Sequence, residues 1–484
     1  MESKRLPSHF QVSEGTDFEN LVNNVKDYAL FNGAASRSRE HFSSDSIQFL
    51  PFTLLPSPFP KKEFDKAVQI QPLLNKLIHK VAHNHEFLKE VLQNTIEVDF
   101  FTGKLFEIYE TVFNEGFAQP MSLGILRSDV MLESTCRENI DDVYCCWKQV
   151  EINAIASGFG WLGPASKVIH RFVLERLQYF DEINKLPENR ALEGLCGGLV
   201  EAWKLYNNPK AIILIVVEDV VYNICDQKFH EFEIYRQNPK IVCQRKTFTE
   251  LIECGELKDK KYFVNGSEVA VVYYRSGYAP EQYPTDKEWN VRLTIERSAA
   301  LKCPSIHYHL AGTKKVQQAL ALEKNLKKFL EKPDEIQLVS DIFTGLYSLD
   351  LDDFGDQAAK LALQQPHNFV LKPQREGGGN NVYGAQIAEV LTKIGRTKER
   401  TAYILMNRIQ PPLIRNYIVR PGKQGKLEAE DVICELGIFG VIIGTKDQII
   451  YNKQAGHMLR TKGHKVDEGG VALGAGSLDS PFLY

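Results

Sequence analysis

The sequence lacks the signals of several large protein classes. It has no run of about eighteen apolar residues, which argues against a membrane-spanning helix. The opening stretch, MESKRLPSHFQVSEGTDFENLVNNVKDYAL, holds no apolar core of the kind that directs export. Cysteine is scattered: nine residues, an odd number, with one vicinal pair (Cys145, Cys146), no CxxC and no Cys/His spacing suited to zinc. That pattern predicts reduced thiols. There is no GxxxxGK[ST] loop, no internal repeat and no low-complexity tract. Neither sign of charge dominates: 58 lysines and arginines face 62 acidic residues, a net charge of −4, so nothing pulls the chain toward nucleic acid or an anionic membrane. The expectation is a soluble, cytoplasmic chain, with export by a leader absent from this sequence as the alternative.

What is present is a chain of 484 residues, 43% apolar and 25% charged, long enough for two or three lobes around a deep cleft. DSIQFLPFTLLPSPFPKKEF, from Asp45, is punctuated by proline and reads as an extended lead-in. Leu74, Leu77, Ile78 and Val81 share a helical face beginning near Pro72, and Phe87, Val91 and Leu92 prolong it. WKQVEIN alternates like a strand, and PASKVIHRFVLERLQYF after it has helical spacing. AIILIVV and EVAVVYYR read as strands of a parallel sheet covered on both faces. KKVQQALALEKNLKKFL reads as helix, EKPDEIQ as a surface connection, and the last third as strand-rich. The predicted class is α/β with α+β lobes, divided as a 1–44 extension, a 45–210 part with a metal-binding strand, a 211–314 open-sheet substrate domain and a 315–484 part carrying glycine-rich loops.

Three constellations carry candidate chemistry. In FVLKPQREGGGNN, Lys372 and Gln374 share a strand face, and Gly377, Gly378 and Gly379 free the backbone for positive φ and for approach of its N–H groups to an anion. With Glu376 they form a cradle for a metal-bound polyphosphate, although a glycine triplet also serves as a plain turn. In VEIN, Glu151 and Asn153 face one way and offer magnesium a carboxylate and an amide oxygen, with Glu376 as a third donor. In LRTK, Arg460 and Lys462 share a face and can grip a carboxylate and a phosphate, or simply form a basic strand edge. The following HKVDEGGVALGAG reads as a lid.

These strings, with AGTKKVQQ, ELGIFG, GHMLRTK, LLPSPFP, LRSD and YYRSGY, resemble the eukaryotic glutathione synthetase family, in order from about residue 50 to the end. The resemblance implies an ATP-grasp fold with an inserted parallel-sheet domain and a lid, a homodimer, and an ATP-dependent ligase that joins γ-glutamylcysteine to glycine through an acyl phosphate. It implies magnesium, two ions, at Glu151, Asn153 and Glu376. It implies ATP at Lys314, Lys372, Gly377, Gly378, Gly379, Asn380, Asn381, Tyr383, Met406, Ile409, Glu435, Lys462 and Glu468, and catalysis by Arg460, Lys372 and Glu376. The peptide substrate falls to Arg127, Ala156, Ser157, Gly158, Val221, Tyr222, Asn223, Gln227, Arg275, Tyr278, Arg460, Val471 and Ala472.

At the peptide end the chain departs from the family pattern. Ala156 and Gly158 stand where the family has hydroxyls, and Val221 and Tyr222 where it has an acidic and a basic residue. Losing a partner from a buried polar contact costs about 1–3 kcal/mol. Two alternatives follow: a paralogue with changed substrate, and a non-catalytic nucleotide- or peptide-binding protein.

Overall fold

The computed structural model describes residues 4–12, 17–135, 143–423, 426–467, 469–471 and 474–484. Its largest sheet has eight strands, running in order Ile418–Val419, Phe52–Thr53, Ser477–Asp479, Ile449–Gly463, Glu430–Gly444, Ser122–Glu133 and Cys146–Asn153, with Ile414–Asn416 paired to Glu430–Gly444. The two fifteen-residue strands form its antiparallel spine. Helix Lys61–Ala82 packs on both.

A second sheet is built on parallel strands. Ile212–Val216 lies between Cys243–Lys246 and Ser267–Tyr274, and Leu301–Cys303 pairs with the last of these. Ile212, Leu214 and Val216 enter one apolar cluster while Ile213 and Ile215 enter another. A strand covered on both faces has no polar side to show, which is why AIILIVV reads as an unbroken apolar run. Helix Ala191–Tyr206 packs between this sheet and the large one. A third sheet, of four antiparallel strands (Leu346–Ser348, Tyr403–Asn407, Phe369–Pro373, Val382–Tyr383), carries its own small core of Leu349, Phe369, Leu371, Ile387, Leu391 and Leu405.

Four expectations need correction. The helix expected from Pro72 begins at Lys61 and runs through Pro72. A polar clamp holds that region: Asn452 Nδ2 donates to the Pro72 carbonyl at 2.8 Å, and Asn75 Nδ2 donates to Asn452 Oδ1 at 2.9 Å. The periodicity beyond it belongs to a separate helix, His85–Ile96, because Asn84 caps a new start by accepting the Phe87 N–H at 2.9 Å. EKPDEIQ is not a plain connection: Pro333 opens helix Pro333–Ser340, its missing N–H costing nothing in a first turn. Finally, Cys145 is disulfide-bonded, although Cys196, Cys225, Cys243, Cys254, Cys303 and Cys434 are free thiols. Among the described residues no helix is long and apolar enough to cross a membrane.

Candidate functional site

The site begins with strand register. Asp129 lies opposite Glu151, Arg127 opposite Asn153, Gly437 opposite Asp129 and Glu435 opposite Arg460, so neighbouring strands of the large sheet bring these side chains onto one face. Arg127 grips Asp129 with two bonds, Nε to Oδ1 at 2.7 Å and Nη2 to Oδ2 at 2.8 Å. Gly437 makes room for that pair, since a Cβ there would stand 2.8 Å from Asp129 Oδ1. Arg460 binds Glu435, with Nε 3.1 Å from Oε1, and lies 3.7 Å from Asp129.

The edge strand Cys146–Asn153 carries the candidate metal donors, and its pairing slips by one residue between Asp129 and Val130. The extra residue is Val150, whose carbonyl is left without a strand partner, as at a β-bulge. Lys372 Nζ fills it from the four-stranded sheet, donating at 2.8 Å. Two residues on, Gln317 acts as a substitute strand: its Oε1 accepts the Ile152 N–H at 2.8 Å and its Nε2 donates to the Ile152 carbonyl at 3.1 Å. Glu151, between them, is fixed by both.

Lys314, at the start of helix Lys314–Leu320, places its ammonium 3.2 Å from Glu151 and 2.8 Å from Glu376. Two acidic residues more than two hundred positions apart in the chain thus meet around one cation. Burial disfavours the charge on Lys314, but the two carboxylates outweigh it and raise its pKa. Burial likewise pushes the Glu151 carboxyl up, and Lys314, Lys372 and Arg460 together overcome it and hold the group well below the usual range. Glu376 goes the other way, raised by burial and by the charge on Glu151. Lys372 is lowered, by burial first and Lys314 next.

Asn153 donates from Nδ2 to Asp129 Oδ2 at 3.0 Å, which turns the amide oxygen away from that pair. Two carboxylates already sharing a cation are donors that suit magnesium, while Asn153, two residues along the same strand from Glu151, is not part of the cleft wall. Among the described residues no cluster of three His, Cys, Asp or Glu side chains has metal-site geometry, so any such ion would need substrate oxygens and water to complete its shell.

Over these groups lies a cleft of about 950 Å³. Its wall includes Glu151, Lys314, Lys372, Glu376, Gly377, Gly378, Asn380, Asn381, Tyr383, Met406, Ile409, Glu435, Arg460 and Lys462, which were all expected. Gly377, Gly378 and Gly379 have φ of +94°, +74° and +77°, the conformation that calls for glycine at each position. Met131, Val150, Val370, Met406, Ile409 and Ile433 give the cleft an apolar end. Two contributors escaped the sequence reading: Asp129, which shares a strand face with Arg127 in LRSD, and Arg408, whose Nη2 lies 2.8 Å from Asp467. Their signal was present only as charge. Glu468 and Ala472 lie outside the described residues.

Asn223, Gln227, Arg275 and Tyr278 follow the carboxyl ends of the parallel strands Ile212–Val216 and Ser267–Tyr274, where ligands bind in open α/β sheets. Arg275 leaves Ser267–Tyr274 with its backbone N–H on the Val216 carbonyl at 2.8 Å, so the two loops depart side by side. Its guanidinium is buried, with Nη2 3.2 Å from Asp226 Oδ2. Asp226 also accepts the N–H groups of Phe159 and Trp161, both at 3.0 Å, and of Leu162 at 3.3 Å, capping helix Leu162–Arg176. Gln227 bonds Asn223 at 2.8 Å. Tyr278 approaches Gly377, where a Cβ would stand 3.3 Å from the ring.

Other expected contacts are committed elsewhere. The Ser157 hydroxyl donates to the carbonyls of Ile125 and Asn153 at 3.2 and 3.3 Å. Val221 is buried in an apolar cluster, and Tyr222 stacks edge-on against Phe42. Val471 is buried among Leu162, Ala165 and Leu478. Ala156 adopts φ +49°, and Gly158 presents only its carbonyl, which accepts Arg127 Nη1 at 3.1 Å.

Comparison with known proteins places these features together. Residues 15–483 match the family model described as eukaryotic glutathione synthase, ATP binding domain. The chain is 43% identical to glutathione synthetase of Xenopus laevis over 468 residues, covering 96% of this chain and 97% of that protein. It is 41% identical to the Homo sapiens protein over 467 residues, covering 96% of each. Identity to the chloroplastic glutathione synthetase of Solanum lycopersicum is 39% over 440 residues, 90% of this chain and 77% of that one. A solved structure of a glutathione synthetase-like effector from Globodera pallida, in its apo form, superposes with a TM-score of 0.77 at 23% identity, covering 99% of this chain and all of that one, and shares its fold.

Proposed function

The chain belongs to the eukaryotic glutathione synthase family, whose ATP-grasp fold it adopts, and on that premise we propose that it is an ATP- and magnesium-dependent ligase forming glutathione from γ-glutamylcysteine and glycine. The observation that carries this reading is the meeting of Glu151 and Glu376 around Lys314, beneath a glycine triplet and beside Lys372 and Arg460.

In the proposed reaction the cysteinyl carboxylate attacks the γ-phosphorus of ATP and ADP leaves. The glycine amine then adds to the acyl phosphate carbonyl, the C–O bond breaks with its electron pair going to the departing phosphate, and the nitrogen gives up a proton that the phosphate takes. Lys314 and Lys372 offset negative charge on the phosphoryl oxygens, the main task in phosphoryl transfer. Arg460, braced by Glu435 and Asp129, orients the reacting carboxylate. Magnesium held through Glu151, Glu376 and the Asn153 oxygen would neutralise phosphate charge when bound. The Gly377–Gly379 loop, resting near Tyr278, shields the acyl phosphate from water.

A homodimer belongs to the same proposal and is tested by sedimentation. The direct test is ADP release that requires γ-glutamylcysteine and glycine together. Release with other acids and none with this pair would support a second reading, a ligase of altered donor specificity. That reading is favoured by the apolar burial of Val221 and the bare backbone at Gly158.

A further inference from the structure

Glu218 stands where the chain leaves strand Ile212–Val216, at the same edge of the parallel sheet as Arg275. It is half-buried. One carboxylate oxygen is tied down, with Oε1 accepting Tyr278 OH at 3.0 Å and Gln282 Nε2 at 2.6 Å. Gln282 in turn accepts the N–H groups of Gly277, Tyr278 and Ala279, so Glu218 is bolted to the loop that carries Tyr278. The other oxygen, Oε2, receives no hydrogen bond from any described residue.

Two of the neighbouring acids are spent, and Asp219, the next residue along, is exposed to solvent. Asp226 serves three backbone N–H groups and Arg275, while Glu231 is held by Arg245 at 2.9 Å and Lys228 at 2.8 Å. Val221 has no charge to offer and lies 95% buried, at 5% exposure. Arg275, 4% exposed, keeps its Nε without a partner among the described residues. A carboxylate oxygen that receives no donor and a buried guanidinium whose Nε–H has no acceptor therefore sit on adjoining loops at the carboxyl edge of the parallel sheet. Together they match the two charges of an α-amino-acid head group, an ammonium and a carboxylate.

Resting on the ligase reading above, we propose that Glu218 is the specificity-determining residue that receives the ammonium of the donor peptide's γ-glutamyl head, the carboxylate of that head going to Arg275. Tyr278 and Gln282 hold Glu218 in place for this. The charge absent at Val221 is thus supplied three residues earlier.

Calorimetric binding of γ-glutamylcysteine and of its des-amino analogue, glutarylcysteine, to the full chain and to Glu218→Gln tests this. The glutamine keeps an oxygen for Tyr278 and Gln282, so the loop stays anchored. The expected result is that wild type prefers the amine-bearing peptide by about ten- to a hundredfold and that Glu218→Gln abolishes the preference by weakening that peptide alone. Equal weakening of both peptides, a preserved preference, no preference in wild type, or no binding of either peptide to wild type would overturn the assignment. ADP release measured alongside separates the two readings. Turnover with an unmoved preference sinks only Glu218, whereas a lost preference without turnover sinks only the ligase.

Discussion

Replacing Asp226 by alanine isolates the brace behind the donor site. Its two oxygens take four donors, the N–H groups of Phe159, Trp161 and Leu162 and Nη2 of Arg275, all in a region closed to water. Burial opposes its charge, yet Arg275 and the backbone donors outweigh that and lower its pKa, so it is ionised at neutral pH. Removing one partner of a buried ion pair costs about 3–5 kcal/mol, because the other charge is stranded. Unfolding entropy near 2.1 cal/mol/K per residue gives about 1 kcal/mol/K for a chain of 484 residues unfolding as one, so the melting midpoint should fall by about 3–5 °C. KM for γ-glutamylcysteine should rise more than KM for ATP, since neither Asp226 nor Arg275 lines the cleft formed by Lys314, Lys372 and Glu376. The double variant Asp226→Leu/Arg275→Met should regain much of the lost stability, because an apolar pair leaves no charge unpaired, but not the donor affinity. Calorimetric melting and steady-state kinetics on all three proteins decide the matter. A midpoint within 1 °C of wild type for Asp226→Ala, or a double variant less stable than the single, would refute the reasoning.

At the nucleotide end, Glu376→Ala is expected to abolish ADP release and Lys372→Ala chiefly to raise KM for ATP; normal kinetics in both would remove them from the site. Gly158→Ser should fold normally, since a Cβ there stands 3.5 Å from both Arg275 Nη2 and Asp226 Oδ2, and should lower KM for γ-glutamylcysteine several-fold. An unchanged KM would mean that no hydroxyl is needed at that point. His79, buried between Tyr308 OH and the Thr445 carbonyl, is drawn down to about 4 by burial, with the charge of His83 adding to it. A histidine lowered in the native state is neutral on both sides of the unfolding equilibrium above pH 6.5. Below that, the unfolded chain takes a proton that the native chain refuses, so stability falls by about 1.4 kcal/mol per pH unit, or about 3 kcal/mol by pH 4. His79→Gln should flatten denaturant-midpoint profiles across this window; an identical slope would contradict the sign.

Much of the local structure was legible because period and punctuation are written into the chain. The alternation of WKQVEIN placed Glu151 and Asn153 on one face, and the run AIILIVV announced a strand buried on both sides. The glycine triplet was legible too, since three successive positive φ values leave other residues strained. Pro72 misled because a propensity is a local statement, whereas the clamp from Asn452 comes from 380 positions away. Asp129 was missed for the same reason: nothing in LRSD tells that its carboxylate will be shared by Arg127, Asn153 and Arg460.

Residue types and spacing by themselves determined the secondary elements, the anion-ready glycine loop and the oxygen donors, because backbone sterics and side-chain alternation act over a few residues. Which donors meet was decided only by the tertiary structure. A bulge at Val150, a glutamine posing as a strand and a lysine reaching between sheets bring Glu151 and Glu376 to one ammonium. Distances of that kind depend on strand register and packing, to which sequence separation is blind.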